Sequence, residues 1–191
     1  ETERREILDH LKSASVRTFE LLENLLTWAR SQRGSLPFEP VHFPLCEVIA
    51  ENLGLFGTAA QGKGISLINE CTEDFQVFAD RNMVSTVIRN LISNALKFTY
   101  PEGTITIGIE LQDQDSILVF VKDTGMGIPP ATLENLFKIE QRTMIKGTAN
   151  ETGTGLGLIL CKDFVVKNGG TIGVSSTPGT GSTFSFTLKT N

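Results

Sequence analysis

The sequence predicts an α+β fold in which a mixed sheet is covered on one face by helices. Three observations predict it. Segments with the period of amphipathic helices alternate irregularly with short segments of two-residue period, and glycine and proline cluster at their junctions. Of the 191 residues, 40% are hydrophobic and 20% charged, the balance of a globular protein with room for one domain and a small extra element.

Residues 1 to about 33 read as a helix. Leu8, Leu11, Ser15, Thr18, Leu22, Leu25 and Ala29 draw one seam along it, widened by Ile7, Ala14, Leu21 and Trp28 as in a helical bundle. Gly34 and Pro37 end it. Such a helix cannot bury its own stripe and needs a partner. The chain opens on the charged run Glu1-Thr-Glu-Arg-Arg-Glu6 with neither a methionine nor a signal peptide, so a piece of a longer protein is expected. Residues 34–44, with prolines at 37, 40 and 44, read as a linker.

A second helix is predicted over 45–60, closed by Gly62 and Gly64. Strands follow at 65–69 and 75–78, joined by a short turn. A third helix covers 81–98, with Asp80 at its N-cap. Residues 104–111 and 116–122 alternate as a hairpin. A short helix fits 133–137, and 138–152 is polar without clear periodicity. The last helix runs over 155–167, and strands at 171–175 and 182–189 flank the turn at 177–181.

Composition excludes several function classes. A net charge of −5 argues against a general nucleic-acid binder. Cys46, Cys71 and Cys161 show no metal-ligand or disulfide spacing, so buried free thiols in a reducing compartment are expected. The longest strand-like apolar run, Ile117-Leu-Val-Phe-Val121, is too short to span a membrane.

Three segments carry chemistry. In Asn90-Leu-Ile-Ser-Asn94-Ala-Leu-Lys97-Phe98, the residues Asn90, Asn94, Lys97 and Phe98 share one face of the third helix, while Val84, Ile88, Leu91, Ile92 and Ala95 lie on the other. Two amides above an ammonium suit a hydrated Mg²⁺ carrying phosphate, although a solvated polar stripe fits the same spacing. In Asp123-Thr-Gly125-Met-Gly127-Ile128-Pro129, a carboxylate stands where the chain leaves a strand, and it can accept a hydrogen bond from an adenine amine. For the tripeptide alone an ordinary turn is a strong reading, and a weaker one for Asp-x-Gly-x-Gly-Ile-Pro as a whole. Gly153-Thr154-Gly155-Leu156-Gly157-Leu158 leads into a helix whose first amides can hold phosphate. No strand precedes it and its spacing is not G-x-G-x-x-G, which excludes a dinucleotide fingerprint; the absence of Gly-Lys-Ser/Thr excludes a P-loop.

In this order, the segments resemble the N box, F box and two glycine boxes of sensor histidine kinases, whose ATPase superfamily includes gyrase, MutL and a heat-shock chaperone. The resemblance covers nearly the whole chain. It implies a two-layer α/β sandwich with a mostly antiparallel mixed sheet. By it, 45–191 is the catalytic and ATP-binding domain, 34–44 a linker, and 1–33 the second helix of a dimerisation bundle. It implies ATP and Mg²⁺ as cofactors, with Asn94 the principal metal ligand and Asn90 supporting it, so that Asn90, Asn94 and Lys97 form the catalytic set. Lys97 would contact phosphate, and Phe98 would pack near adenine. Asp123 would read the adenine amine in a pocket shaped by Gly125, Gly127 and Ile128. Phe137 falls in the F box. Gly153, Thr154, Gly155, Leu156, Gly157 and Leu158 would line the triphosphate, and Ser182 would reach adenine through water. Arg142 and Lys146 of a lid at 138–152 would approach phosphate, though a solvated charge fits each as well.

Hydrolysing relatives place Glu at the first N-box position as general base; here Asn90 stands there, and an amide cannot take that proton. Transfer to a histidine is therefore expected rather than hydrolysis. The family's acceptor is a His followed by Glu or Asp and then Pro; neither His10 nor His42 has those neighbours, so autophosphorylation of these residues is not expected. The implied partners are the parent's own acceptor helix, a response regulator receiver domain and a second copy in a homodimer, with neither nucleic acid nor direct membrane contact. The implied place is the cytoplasmic portion of a membrane-anchored sensor. The alternatives are an ATP-binding signalling module without kinase activity and a serine kinase of the anti-sigma type.

Overall fold

The helix that carries the first segment is the best specified element. In a computed structural model, which describes residues 15, 18, 19, 21–23, 25–138, 147–149 and 155–190, it spans Arg81–Phe98 (α2). Asp80 caps it: one carboxylate oxygen accepts the N–H of Asn82 at 3.1 Å and of Met83 at 3.0 Å, and the other accepts the N–H of Glu39 at 3.0 Å. The buried face is the apolar set read from the sequence, with Val84, Ile88, Leu91, Ile92 and Ala95 all in the core.

Before it come strand β1, Val41–Pro44; helix α1, Leu45–Lys63; β2, Ser66–Asn69; and β3, Gln76–Ala79. Gly64, at φ 68°, ends α1. After it come β4, Thr104–Leu111; β5, Ser116–Asp123; the short α3, Pro130–Leu133; α4, Gly157–Lys167; β6, Ile172–Thr177; and β7, Gly181–Lys189.

Five strands form one sheet in the order β2-β4-β5-β7-β6, with β2 parallel to β4 and the other neighbours antiparallel. Its register places Ile107, Val121 and Phe184 in one cross-strand row, Ile109, Val119 and Phe186 in the next, and Leu111, Ile117 and Leu188 in a third. Apart from the exposed Leu111, this face packs with residues of α1, α2 and α4 into a single apolar core. The predicted α+β architecture of a mixed sheet with helices is thus the one observed.

Details differ from the sequence reading. Inside the stretch read as a linker, Val41–Pro44 is a strand that pairs antiparallel with β3 in a separate two-stranded sheet. It buries Phe43 beside Val77, while His42 and Phe78 face outward with ring centroids 4.9 Å apart. Its one proline, Pro44, is tolerated because this ribbon is all edge. The strands expected at 65–69 and 75–78 consequently lie in different sheets. The short helix falls at Pro130–Leu133, starting at the proline whose fixed φ suits a first turn, and 134–137 is turn. All three cysteines are free, but Cys161 alone of them is buried, Cys46 and Cys71 being half-exposed.

The described part of the N-terminal segment is helical up to residue 32, and Gly34 at φ 64° follows its end. Phe19, Leu21, Leu22, Leu25 and Leu26 are exposed, so the chain itself does not cover that stripe. Trp28 packs against the core, and Ser31 donates to Asp163 and accepts from Lys167 on α4. No described helix is long and apolar enough to cross a membrane.

Candidate functional site

The register that builds the core also builds the site. The row below Ile107, Val121 and Phe184 contains Ile105, Asp123, Ser182 and Ser176 on four neighbouring strands. At the end of an apolar face, the sheet thus turns a carboxylate and two hydroxyls toward the helix layer. Asp123 is 5% exposed; one of its oxygens accepts the N–H of Gly125 at 2.8 Å and of Ser182 at 3.3 Å. Its other oxygen takes no hydrogen bond from the described residues. Burial pushes the carboxyl up from its ordinary value, and the two N–H donors pull it only partly back.

The loop after Asp123 is clamped between two elements. The N–H of Met126 donates to the carbonyl of Phe98 at 3.1 Å, joining it to the end of α2. A Cβ on Gly125 would stand 2.3 Å from that same oxygen, so a side chain there would push the loop off the helix. On the other side, the N–H of Gly179 donates to Met126 O at 2.8 Å, and the N–H of Ile128 donates to Ser176 Oγ at 2.8 Å. Gly127 holds φ 68°, and a Cβ on it would meet the carbonyl of Thr177 at 2.1 Å. Ser176 Oγ also donates to Gly181 O at 2.9 Å and lies 3.0 Å from Ser182 Oγ.

On α2, Asn90, Asn94, Lys97 and Phe98 are all half-buried along one face. Asn90 donates to the carbonyl of Thr86 at 2.9 Å, and a Cβ on Gly157 would stand 2.6 Å from its Oδ1. The first segment therefore touches the N-terminus of α4, where the third segment ends. The amide of Asn94 makes no hydrogen bond to a described residue. The ammonium of Lys97 lies 4.7 Å from the centre of the Phe98 ring. Gly155 is exposed at φ 68°, Leu156 is buried, and Gly157 and Leu158 open α4 half-buried. Phe137 packs against the core and makes no ring contact with the other candidates. Lys146, Gly153 and Thr154, with Arg142 and His10, lie outside the described residues.

Several contributors escaped the sequence reading. Ser176 links three strands and loops, yet it sits in an ordinary run of serines and threonines. Lys63 and Thr148 both donate to carbonyls at the end of α2, across 34 and 51 residues of sequence. No local spacing reveals either. Among the described residues there is no cluster of three or more His, Cys, Asp or Glu that could hold a metal ion.

The family model described as histidine kinase-, DNA gyrase B-, and HSP90-like ATPase matches residues 79–191, more than half of the sequence. The chain belongs to this family. It carries the ATP-binding catalytic domain of the histidine kinase type, a nucleotide-binding unit. The hybrid signal transduction protein dokA of Dictyostelium discoideum is 35% identical over 97% of this chain and 12% of its own length. The adaptive-response sensory kinase SasA of Gloeothece citriformis is 34% identical over 88% of this chain and 42% of its own. The chain thus spans less than half the length of these curated relatives. Among solved structures, histidine kinase ThkA in complex with response regulator protein TrrA is similar at a TM-score of 0.71, with 26% identity over 91% of this chain and 49% of that one.

Proposed function

We propose that this chain is the nucleotide-handling part of a sensor histidine kinase, moving the γ-phosphoryl group of ATP to a histidine on a bundle helix outside these residues, for relay to a response regulator. The observation that carries this reading is Asn90, a neutral amide beside the start of α4. Its Nδ2 is committed to Thr86 and its Oδ1 faces Gly157. A carboxylate there could take a proton from water; an amide cannot, so Asn90 does not supply the base that hydrolysis needs. In this arrangement, residues 1–33 belong to the dimerisation bundle of a homodimer, 34–40 connect, and 41–191, with β1 paired to β3, handle nucleotide. The uncovered apolar stripe of the N-terminal helix supports the bundle role. The complex of ThkA with TrrA supports a response regulator as partner.

The donor set fits a Mg²⁺–ATP complex. Asp123 offers the adenine amine a carboxylate oxygen that takes no hydrogen bond from the described residues, and Phe98, whose carbonyl holds the loop after Asp123, packs near the base. Gly125, Gly127 and Ile128 shape that pocket. Asn94 offers an amide oxygen to the metal with Asn90 in support, and the ion takes its remaining ligands from phosphate and water. Bound there, the metal neutralises phosphate charge. Lys97 holds the phosphate chain, as do the glycine-rich approach to α4 and its first amides. Catalysis by these residues is positioning and charge neutralisation rather than proton transfer. The cytoplasmic portion of a membrane-anchored sensor is the setting this function implies.

The test is incubation of the chain with labelled ATP and a separately supplied acceptor helix from its parent. An acid-labile phosphate on that helix is the expected product. Acid-stable label would indicate a serine or threonine acceptor, and bound ATP without transfer would indicate a signalling module; either result overturns the kinase reading.

A further inference from the structure

The carboxyl end of α2 carries Lys97 and Phe98, and a helix end leaves its last carbonyls without partners inside the helix. Here each finds one from elsewhere. Ala95 O accepts the N–H of Thr99 at 2.9 Å and its hydroxyl at 2.7 Å. Leu96 O accepts Lys63 Nζ at 2.7 Å. Phe98 O accepts the N–H of Met126 at 3.1 Å. Lys97 O accepts most: Lys63 Nζ at 3.2 Å, the N–H of Thr148 at 3.0 Å and the hydroxyl of Thr148 at 3.1 Å. That hydroxyl also lies 2.9 Å from Thr99 O.

Three of these donors are side chains outside the three segments: Thr99, the residue that follows the helix, and two that come from far along the chain, Lys63 and Thr148. Lys63 is the last residue of α1. Thr148 stands between the Asp123 loop and the glycine-rich approach to α4. An ammonium at a helix C-terminus is favourable on its own account, since it meets the negative end of the helix dipole. Here it also fixes where the final turn ends. The hydroxyl of Thr148 spans two carbonyls on either side of Phe98. Together they set the direction in which the last turn presents Lys97 and Phe98.

We infer that Thr148 and Lys63 are positioning residues for the nucleotide, acting through the carbonyls of residues 96, 97 and 99 to aim Lys97 at phosphate and the Phe98 ring at the base. This rests on the proposed ATP site. Neither residue need touch the nucleotide. Their effect falls on phosphate more than on the base, because Asp123 is held by its own backbone contacts on the sheet.

The test compares binding of ATP and of adenosine to the whole chain, by calorimetry with Mg²⁺ present. Thr148→Val keeps the shape and the N–H but loses the hydroxyl. It should weaken ATP about 5- to 30-fold, the range that one or two lost hydrogen bonds allow, and weaken adenosine much less. Thr148→Ser should restore ATP binding to within about threefold, since the donor returns. Lys63→Met should lower the ATP-to-adenosine preference in the same direction, and it carries the test if Thr148→Val does not fold. A wild-type preference in Thr148→Val or, where that variant does not fold, in Lys63→Met overturns the inference; so does a Thr148→Ser variant as weak as Thr148→Val. Failure of the wild-type chain to bind ATP would instead overturn the proposed site.

Discussion

At the Asp123 end of the site, backbone does the holding, whereas at the Asn94 end the work falls to side chains projecting from one helix face. Asp123 is fixed by two N–H donors, and its loop lies against backbone carbonyls of Phe98 and Thr177 closely enough to exclude a Cβ. Asn94 and Lys97 are half-buried, and the last turn of α2, which carries Lys97, is tied down by Lys63 and Thr148. In the proposed site, a base end held by backbone is formed before ligand arrives, so little ordering cost remains there. By the same proposal, a phosphate end made of side chains can follow a group that is bound, transferred and released. The first arrangement favours selectivity, the second turnover.

The contrast breaks most visibly at Gly127. Alanine there must hold φ 68° and place its Cβ 2.1 Å from Thr177 O, a backbone atom that cannot step aside. The left-handed conformation and the overlap together cost roughly 2–5 kcal/mol. Thermal melting should fall by about 5–15 °C for a chain of this size. A melt within a degree or two of wild type would show that the loop can move, and the base end would not be preformed.

Asp123→Asn tests the chemistry of that end with its shape kept. Loss of a charge-assisted hydrogen bond predicts about 10- to 100-fold weaker ATP binding, read by titration calorimetry. The pH dependence has two opposite signs. Because burial raises the native value above the ordinary 3.8, the unfolded carboxyl gives up its proton at lower pH than the folded one. Above the raised value, Asp123 therefore burdens stability, and that burden is relieved as pH falls through the raised value toward 3.8. Over the same window, ATP binding weakens, since a protonated carboxyl accepts poorly from an amine. Asp123→Asn should abolish both trends. Unchanged ATP affinity in this variant would remove Asp123 from base recognition.

What could be read in advance follows the same division. Helix α2 was legible because its apolar face, its Asp80 cap and its polar stripe are all written at local spacing. The β4–β5 hairpin was legible for the same reason, and the three segments announced the site because each is contiguous. Partnership between distant segments was not legible. Residues 66–69 and 76–79 are short runs whose sequence says strand but not which neighbour, and the two entered different sheets. Val41–Pro44 was hidden by Pro44 and the prolines just before it, and an edge strand tolerates the one it contains. Thr148, Lys63 and Ser176 act on atoms far along the chain, and their residue types are unremarkable where they stand.

Ser182 and Ser176 sharpen the comparison at its smallest scale, because they are neighbours across β6 and β7 with hydroxyls 3.0 Å apart. Sequence reasoning chose Ser182. Its attachment to Asp123 runs through the backbone N–H, which alanine keeps. Ser176 uses its hydroxyl twice over, receiving the N–H of Ile128 and donating to Gly181 O, so it ties the base-side loop to the turn into β7. Ser176→Ala leaves a half-buried N–H and a carbonyl short of a partner and should cost about 1–2 kcal/mol of stability in denaturant unfolding. Ser182→Ala should cost under about 1 kcal/mol and weaken ATP by about two- to threefold, through one lost hydroxyl contact. The reverse order, with Ser182→Ala the more destabilising, would mean that the Ser182 hydroxyl rather than its backbone N–H holds Asp123, and the division between the two ends of the site would fail.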